Sequence, residues 1–348
     1  MIAVVGAGAM GAALAAHFSR GGNESVLLAT EFDRPVIQAW REGLPHPALG
    51  VVIGHEVECR PPGEWSAVLP GADIVTVAVA SHGLRPILAA AARHAPSNAV
   101  WLLATKGWQR ETLLAPSEVA VDVLGSEARI VALGGPGIAA ELVAGSPTAL
   151  ISASRDAGAR RMVARALTSP TTLVATTSDV AGVETSSAYK NVVAIAVGIA
   201  QGMSERFIES ALVRAFANAR AAMFAQGMVD MMGLVEARGG HASTVVGLAG
   251  SGDLYVTCIS GRNGRFGQLL GSGATPEQAL RSIGSTVEGV ANTEVALGLA
   301  ARYSLDLPTA RAVDLALHQQ LTHEHGLQQL RRLFITAMRS GARQGARR

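Results

Sequence analysis

The strongest constraint on the fold lies in the first 20 residues. The apolar run "IAVV" at 2–5 is typical of a buried strand, and the next six residues, "GAGAMG", carry glycines at positions 6, 8 and 11. The chain then continues as "AALAAHFSRGG", which favours a helix that ends at glycine. In a strand–turn–helix unit this spacing permits a tight turn, a close approach of the backbone to a pyrophosphate, and packing of the helix on the sheet.

The start of that helix also suits an anion. Its first N–H groups have no partner within the helix and carry a partial positive charge, which favours phosphate binding. The turn therefore predicts a dinucleotide site, although a glycine-rich turn without a ligand has the same local pattern. The residues that we expect to contact the cofactor here are Gly6, Gly8, Ala9, Met10 and Gly11.

The end of the second predicted strand, "LLATEFDR", bears on the choice between NAD and NADP. Glu31 lies about 20 residues after the third glycine and could accept hydrogen bonds from a ribose 2′-hydroxyl, which favours NAD. Thr30 and Arg34 could instead bind a 2′-phosphate. Both cofactors stay open, and Glu31 and Arg34 are both candidate cofactor-binding residues.

Beyond this unit, the hydrophobic pattern divides the chain into two parts. Up to about residue 180, short apolar runs alternate with helical segments, which predicts a mainly parallel sheet with helices on both faces. After that point the pattern is helical. We therefore predict an α/β protein with a Rossmann-type parallel-sheet domain over residues 1–180, an all-α substrate-binding domain over 181–340 and a basic, disordered tail over 341–348. Residues 44–66 break the rhythm and are predicted to form a small hairpin.

Composition limits the classes of protein that remain. The 348 residues carry a net charge of +2 and are 49% hydrophobic, which suits a large core rather than a nucleic-acid-binding surface. Two cysteines are too few for a disulfide framework or a zinc site, so we expect a cytoplasmic protein without a metal. No apolar run reaches the length of a membrane span, and the first residues lack the pattern of a signal peptide. The apolar helices of the second half favour a homodimer.

A charged residue in an otherwise apolar helix points to the chemistry. The stretch "TSSAYKNVVAIAVGIAQG" at 185–202 has one charge, Lys190, and its helical neighbours supply no counter-charge. A lysine that is buried without a partner loses its hydration, which is costly, or gives up its proton. We therefore expect Lys190 to have a function, with an ordinary core helix as the less favoured alternative.

Three further stretches hold polar residues that a helical core would not need. "LLATKGW" places a lysine at the C-terminal edge of the predicted sheet, where ligands bind in open α/β sheets. "GLAGSGDLYVTCISGRNGRFG" holds an aspartate, a threonine and an Arg-Asn pair among glycines, and in "STVEGVANTEVALGLA" a glutamate begins a helix. A helix cap, a solvated turn or a surface position would explain each of them singly. The residues concerned are Lys106, Asp253, Thr257, Arg262, Asn263 and Glu288.

Together these residues suit hydride transfer on a small phosphorylated alcohol or ketone. That reaction needs a nicotinamide, a proton donor-acceptor at the carbonyl oxygen and a group that binds the anion. A lysine beside an aspartate can exchange the proton. Arg262 can bind a phosphate through two hydrogen bonds at a point where a helix begins.

Several motifs in one order make the pattern specific. They are "GAGAMG" at 6–11, "ATKG" at 104–107, "GPGIAAE" at 135–141, "YKNVVAIAVG" at 189–198, "NARAAMFAQGM" at 218–228, "GLAGSGDLYVTC" at 247–258, "RN" at 262–263 and "VEG" at 287–289. In these motifs the chain resembles the NAD(P)-dependent glycerol-3-phosphate dehydrogenases over nearly its whole length. The resemblance implies NAD or NADP as cofactor, conversion of dihydroxyacetone phosphate to sn-glycerol 3-phosphate, and a place in glycerophospholipid and carbohydrate metabolism.

The resemblance also assigns roles to residues of this sequence. It implies that Lys190 is the proton donor-acceptor at C2 of the substrate, and that the residues assisting it are Asn191, Asp253 and Lys106. It implies a substrate site, with the phosphate on the last two residues, made of Lys106, Gly135, Lys190, Asp253, Thr257, Arg262 and Asn263. Beyond the glycine turn, Glu31 and Arg34, it places the cofactor against Lys106, Ala139, Arg262 and Glu288.

Two positions depart from the family's pattern. Gly137 stands where most members carry Ser or Thr, and Gly261 stands where many have a serine before the Arg-Asn pair. We expect the fold and the chemistry to be retained. A pocket that lacks two hydroxyl side chains could accept a different or larger polyol phosphate.

Two other functions fit part of the pattern. A ketopantoate-reductase-like or 3-hydroxyacid dehydrogenase would use Lys190 in the same way on a small carboxylate, although Arg262 and Asn263 favour a phosphate. A non-catalytic NAD(P)-sensing protein would bind the cofactor without turnover.

Overall fold

The computed structural model describes residues 1–53, 57–207 and 217–318. The chain divides into two units, Met1–Gln109 with Leu114–Glu184 and Arg110–Leu113 with Thr185–Arg348. The sequence pattern also predicts a last helix at 325–339, and this helix and the predicted tail at 341–348 lie outside the described residues. Among the described residues, every strand belongs to the first unit, and the second unit consists of helices and turns. The predicted fold class, a sheet domain followed in the chain by a helical domain, is therefore confirmed.

An eight-stranded sheet organises the first unit. Its strands are β1 Ile2–Val5, β2 Ser25–Leu28, β3 Glu58–Arg60, β4 Ile74–Val77, β5 Val100–Leu103, β6 Arg129–Gly134, β7 Thr148–Ala153 and β8 Thr172–Thr177. Their order across the sheet is β3-β2-β1-β4-β5-β6-β7-β8. Neighbouring strands are parallel except β6 and β7, which are antiparallel. The strand order reverses at β1, so the C-terminal ends of β1 and β4 flank the crevice where such sheets bind ligands.

Helices cover both faces of this sheet. Those of the first unit are α1 Ala9–Arg20, α2 Arg34–Arg41, α3 Trp65–Val68, α4 Leu84–Ala92, α5 Pro116–Leu124, α6 Ala139–Ala144 and α7 Ala157–Leu167. Side chains alternate along each strand, so Ile2 and Val4 pack in one apolar core, with residues of α1 and α7, and Val5 packs in the other, with residues of α3, α4 and α5. Burial on both faces explains why the inner strands β1, β2, β4 and β5 read as nearly unbroken apolar runs, whereas the edge strands β3 and β8 are partly exposed.

The helix α8 Val180–Phe207 runs from the first unit into the second. The helices that follow are α9 Ala217–Ala237, α10 Ala242–Val245, α11 Asp253–Ser260, α12 Arg262–Gly271, α13 Pro276–Ile283, α14 Glu288–Tyr303 and α15 Pro308–His318. A single π-helical turn, Leu248–Gly252, directly precedes α11. The sequence pattern predicts separate helices at 207–238 and 264–272 and none between them, because the glycines of this stretch interrupt the helical periodicity.

The predicted hairpin at 44–66 is wrong for the described residues. The strand in this region, β3, pairs in parallel with β2, with Arg60 beside Leu28, and α3 follows it. A hairpin would need an antiparallel partner close in sequence. The segment before β3 instead turns back on itself through hydrogen bonds of His46 with Val51 and Gly50.

The helices α8 and α12 pack backbone to backbone. A Cβ atom at Gly198 would overlap the carbonyl oxygen of Gly264, and one at Gly267 would overlap that of Ile195. Glycine is therefore required at this crossing, because any side chain would push the two helices apart.

One helical stretch of the described residues, Ala242–Ser260, is long and apolar enough to cross a membrane, with a mean hydropathy of 1.2 and 33% of the stretch buried. Core helices of folded proteins can pass the same test. This stretch is divided into α10, the π-helical turn and α11, and it carries a buried aspartate, Asp253, that pairs with Lys190 of the same unit.

Candidate active site

The glycine turn of the first unit has the geometry that its sequence predicts. Gly6 has a φ of +102°, and a Cβ atom there would lie 2.6 Å from the carbonyl oxygen of Ala78 at the end of the neighbouring strand. A Cβ atom at Gly11 would overlap the carbonyl oxygen of Gly6. At Gly8, by contrast, no atom lies within 4 Å of the added Cβ. The first and third glycines are therefore required by the fold, whereas the second leaves open space in which a ligand can approach the backbone.

The first turn of α1 adds to this space a set of hydrogen-bond donors. Gly8 caps the helix without a side-chain hydrogen bond, and the first turn contains no acidic residue. Ala9 and Met10, which begin the helix, are partly exposed. Their surroundings fit a dinucleotide pyrophosphate, because nothing in the helix competes with a phosphate for the partial positive charge.

The end of β2 is organised by an aspartate that the sequence analysis did not single out. One oxygen of Asp33, Oδ2, accepts hydrogen bonds from the Ala7 N–H at 3.0 Å, the Thr30 N–H at 2.8 Å and the Thr30 hydroxyl at 2.7 Å. Glu31 and Arg34 are both exposed, and their charged groups lie 3.9 Å apart. The structure thus brings Glu31 and Arg34 together as a surface pair, while Thr30 is used within the protein.

Two of the predicted substrate-binding residues of the first unit also meet. Lys106 follows β5, and its Nζ donates to the carbonyl oxygen of Gly135 at 2.9 Å. Gly135 has a φ of +96°, and a Cβ atom there would crowd the carbonyl oxygen of Ala149 at 3.0 Å. Ala139 begins α6 a few residues later.

In the second unit, the predicted catalytic lysine has its partners on α11. Lys190 lies on α8 and is only 6% exposed. Its Nζ donates to Asp253 Oδ1 at 2.5 Å and to Thr257 Oγ1 at 3.0 Å. Asp253 and Thr257 are one helical turn apart, so both side chains reach the same ammonium group. The Thr257 hydroxyl in turn donates to the Asp253 carbonyl oxygen at 2.6 Å, which fixes its lone pairs toward the lysine.

A second chain of hydrogen bonds links the residue after the lysine to the start of α12. Asn263 Nδ2 donates to Asn191 Oδ1 at 2.9 Å, and Asn263 Oδ1 accepts from the Gly289 N–H at 2.9 Å. Both asparagines are buried. Arg262, which precedes Asn263 as the first residue of α12, is exposed, and Glu288 begins α14 next to Gly289. The structure therefore brings the Arg-Asn pair and Glu288 to neighbouring helix starts.

The two departures from the family's pattern have different structural settings. A Cβ atom at Gly261 would lie 2.8 Å from Thr257 Cγ2 and would overlap the Thr257 carbonyl oxygen, so the glycine lets the chain pack closely against a partner of Lys190. A Cβ atom at Gly137 would meet only Leu150 Cδ2 at 3.3 Å and more distant atoms. The close packing at position 261 thus requires glycine, whereas a side chain at position 137 needs only a small shift of Leu150.

A buried polar cluster adjoins the lysine and was also missed by the sequence analysis. Tyr189, the residue before Lys190, donates its hydroxyl to Asp230 Oδ2 at 3.1 Å. Asp230 also accepts from Gln226 Nε2 at 2.7 Å and from the Thr309 N–H at 2.8 Å. Burial raises the pKa of Asp230 to about 6 despite these hydrogen bonds. The cluster joins α8, α9 and α15 directly behind the lysine.

The sequence holds one further signal for this site. Of its 29 lysine and arginine residues only two are lysines, Lys106 and Lys190. Both are among the residues predicted to act in the site, and both hydrogen-bond to groups of the protein. In a chain whose positive charges are nearly all arginines, a lysine indicates a position where the site needs an amine that a guanidinium cannot replace.

The first unit combines a mostly parallel sheet with a glycine turn that is open to a pyrophosphate, and the helical unit holds a buried Lys–Asp pair. Together these features define the class of NAD(P)-dependent dehydrogenases. The sequence models of the NAD-dependent glycerol-3-phosphate dehydrogenase N-terminus and C-terminus match residues 1–160 and 179–328. The chain belongs to the NAD-dependent glycerol-3-phosphate dehydrogenase family.

Individual relatives agree with this assignment. The chain is 36% identical over 340 residues to a glycerol-3-phosphate dehydrogenase [NAD(P)+] of Hydrogenovibrio crunogenus, covering 95% of this chain and 94% of that protein. It is 34% identical over 331 residues to the enzyme of the same name from Xanthomonas campestris, covering 94% of each. The crystal structure of the Coxiella burnetii glycerol-3-phosphate dehydrogenase has a TM-score of 0.83 and 29% identity, covering 95% of this chain and 98% of that one. The resemblance, the enzyme class and the NAD(P) cofactor predicted from the sequence are confirmed.

Proposed function

We propose that this protein catalyses reversible hydride transfer between NAD(P)H and dihydroxyacetone phosphate, giving sn-glycerol 3-phosphate. The observation that carries the proposal is the buried Lys190–Asp253–Thr257 cluster in a member of this family. A buried ammonium group held by a carboxylate and a hydroxyl is rigid and shielded from water, as a proton donor to a carbonyl oxygen should be.

Lys190, Asp253 and Thr257 have separate roles in the proposed reaction. NAD(P)H, when bound, would supply the hydride for C2 of the ketone and would leave as NAD(P)+. Lys190 donates a proton to the C2 oxygen, so that the ketone becomes an alcohol. Asp253 keeps the ammonium group in place, and Thr257 fixes its direction. Lys190 then regains a proton from solvent, and in the reverse direction its neutral amine accepts the hydroxyl proton.

The phosphate of the substrate is proposed to bind at the start of α12. Arg262 is exposed at the first position of this ten-residue helix, where its guanidinium and the first N–H groups can both reach an anion. Asn263 is held by Asn191 and by the Gly289 N–H, which orients the turn. Lys106 and Gly135 are proposed to contribute to the substrate site from the sheet domain, and Lys106, Ala139, Arg262 and Glu288 to contact the cofactor.

A substrate panel tests this function. NADH and NADPH oxidation is measured with dihydroxyacetone phosphate, unphosphorylated dihydroxyacetone, a four-carbon ketose phosphate and 2-ketopantoate. The proposal requires turnover of dihydroxyacetone phosphate and loss of most activity without the phosphate. Activity confined to 2-ketopantoate would contradict it and identify the carboxylate alternative. Activity with only the four-carbon compound would keep the mechanism and correct the substrate, as the glycine at 137 allows.

We further propose that NAD is preferred over NADP. The Thr30 hydroxyl, one candidate for a 2′-phosphate, donates to Asp33 and accepts from the Phe32 N–H at 3.3 Å. The other candidate, Arg34, has Glu31 as its neighbour. Arg60, at the end of the adjacent strand, pairs with two glutamates, Glu58 and Glu64. A second phosphate would meet mostly carboxylates here, whereas a ribose 2′-hydroxyl needs an acceptor such as Glu31.

Replacing Glu31 tests the preference. Glu31→Arg should shift the ratio of kcat/KM for NADH to that for NADPH toward NADPH by at least about tenfold, because a guanidinium binds phosphate strongly. Glu24→Arg is the matched control, since Glu24 is exposed and precedes the opposite end of the same strand. A wild-type enzyme that favours NADPH, or equal effects of the two substitutions, would show that Glu31 does not select the cofactor.

We also propose a cytoplasmic homodimer. Both cysteines are free, which suits a reducing compartment. Val246, Tyr255 and Ile259 are each more than 60% exposed in the helical unit, which supports an apolar contact surface. Light scattering after size-exclusion chromatography tests the assembly, and a monomer at micromolar concentration would contradict it.

A further inference from the structure

The residue at the centre of the glycine turn is held from both sides by side chains distant in sequence. Ala7 lies between Gly6 and Gly8 and is fully buried. Its N–H donates to Asp33 Oδ2 at 3.0 Å, and its carbonyl oxygen contacts His46 Nε2 at 3.0 Å. Asp33 therefore orients the Gly6–Ala7 peptide, and His46 orients the Ala7–Gly8 peptide, which carries the Gly8 N–H.

The role of His46 in this contact follows from its other nitrogen. The Ala48 N–H donates to His46 Nδ1 at 3.1 Å, so Nδ1 carries a lone pair. The hydrogen of the neutral ring is then on Nε2, and Nε2 donates to the Ala7 carbonyl oxygen. His46 is only 3% exposed, so the ring has little freedom to turn away.

Asp33 connects the Gly6–Ala7 peptide to the end of β2. The oxygen that accepts from Ala7 also accepts from the N–H and the hydroxyl of Thr30. The glycine turn is thereby tied to the β2–α2 turn on one side and, through His46, to the segment before β3 on the other.

Among the described residues, no other side chain forms a hydrogen bond with residues 6–8 of the turn. Gly6 and Gly8 have no side chains, and α1 begins without a side-chain cap. The direction of the Gly8 N–H and of the first N–H groups of α1 therefore depends on the two peptides that flank Ala7, above all on the Ala7–Gly8 peptide. These groups are the ones that face the pyrophosphate in the proposed function.

We propose that His46 and Asp33 are positioning residues for the cofactor: they hold the two peptides on either side of the Ala7 Cα so that the turn is ready to bind the pyrophosphate. This proposal rests on the proposed function, because the dinucleotide is what the turn receives. It also gives a purpose to the segment before β3, which brings a buried histidine to the glycine turn.

Two substitutions at His46 separate positioning from simple structural support. His46→Gln keeps an N–H donor near the place of Nε2 but loses the acceptor for Ala48. His46→Asn keeps an acceptor near the place of Nδ1 but loses the donor to Ala7. The Kd for NADH and for ADP-ribose, the KM for the ketone, kcat at saturating NADH and the thermal midpoint are measured for both.

We expect His46→Asn to weaken the binding of NADH and of ADP-ribose by about three- to tenfold, the effect of one lost hydrogen bond, and His46→Gln to bind like the wild type. The kcat at saturating NADH and the KM for the ketone should be unchanged in both variants. Equal losses in the two variants that follow their thermal midpoints would overturn the proposal, because His46 would then act on stability alone. So would wild-type affinity in His46→Asn.

Asp33 provides a second arm if either histidine variant fails to fold. Asp33→Asn keeps an acceptor oxygen for Ala7 and should retain most of the affinity, whereas Asp33→Ala should lose about as much as His46→Asn. Wild-type affinity in Asp33→Ala would overturn the proposal. A wild-type protein that binds neither NADH nor NADPH would instead overturn the proposed function, so the two failures are distinguishable.

Discussion

The proposed chemistry of this chain depends on the surroundings of a single residue, Lys190. The sequence places the lysine in an apolar helix without a counter-charge, while the structure brings Asp253 and Thr257 to it from α11. The burial of the ammonium group is therefore compensated by a carboxylate and a hydroxyl, as a buried charge requires. The rest of this helix supports the lysine. The hydrogen bond that Asn191, the next residue, accepts from Asn263 links this part of α8 to the start of α12.

Sequence reasoning found this lysine but not its buried neighbour Asp230. Lys190 is conspicuous because its neighbours on the helix carry no charge. Asp230 and Asp33 are ordinary polar residues in their own segments, and their roles depend on partners such as Thr309 and Ala7 that lie far along the chain. Such roles cannot be derived from local pattern, since they arise only when tertiary contacts bring the partners together.

The titration of Asp230 predicts how stability depends on pH. Its pKa is about 6 in the folded protein against an ordinary value of 3.8, so the folded chain binds this proton more tightly. Its contribution to the free energy of unfolding is therefore fully present below about pH 4 and lost as the pH rises through about 6.

Urea unfolding of the wild type and of Asp230→Asn at about pH 5 and about pH 7.5 measures the contribution of Asp230 to the free energy of unfolding. The difference between the two proteins should change by about 1–2 kcal/mol over that range, with the wild type gaining relative stability at the lower pH. Because all other groups cancel in the comparison, parallel pH profiles would show that Asp230 is not responsible.

At the scale of elements, the site depends on how closely α8 and α12 approach. Gly198 and Gly267 bring the two backbones into contact, and this places Asn263 within hydrogen-bonding distance of Asn191. If the two helices lay further apart, Arg262 would also lie further from the lysine, because Arg262 is the first residue of α12.

A methyl group at the crossing tests this dependence. Gly198→Ala would force the Cβ against the Gly264 carbonyl oxygen and should lower the free energy of unfolding by about 1–3 kcal/mol, with a rise in the KM for the phosphorylated ketone. Gly233→Ala in α9 is the control, since no atom lies within 4 Å of its added Cβ. It should be neutral or stabilise by up to about 1 kcal/mol. Thermal or urea unfolding of both variants is the measurement, and a stable Gly198→Ala protein would mean that the helices can separate without cost.

The elements themselves were predictable to different degrees. The strands and the long helices of both units follow from unbroken apolar runs and helical periodicity, and β1 with its turn follows from the glycines. The π-helical turn and α11 were missed because Gly247, Gly250 and Gly252 weaken the helical signal, although Gly250 is needed for contact with Val245. The supposed hairpin before β3 was wrong because a parallel edge strand of three residues has no local signature.

The whole molecule is a dehydrogenase of two units that carry different parts of the proposed machinery. The sheet unit carries the glycine turn and the residues that hold it, and the helical unit carries the lysine and the start of α12. In the proposed reaction Lys190 donates the proton when the ketone is reduced.

One comparison tests that claim most directly: NADH oxidation with dihydroxyacetone phosphate by the wild type, Lys190→Met and Lys190→Arg, with NADH binding measured on the same samples. Methionine fills the space without a proton to give, and arginine keeps the charge but cannot release its proton. Both variants should lose about 10²- to 10⁴-fold in kcat while still binding NADH. Turnover by Lys190→Met within about tenfold of the wild type would contradict the account.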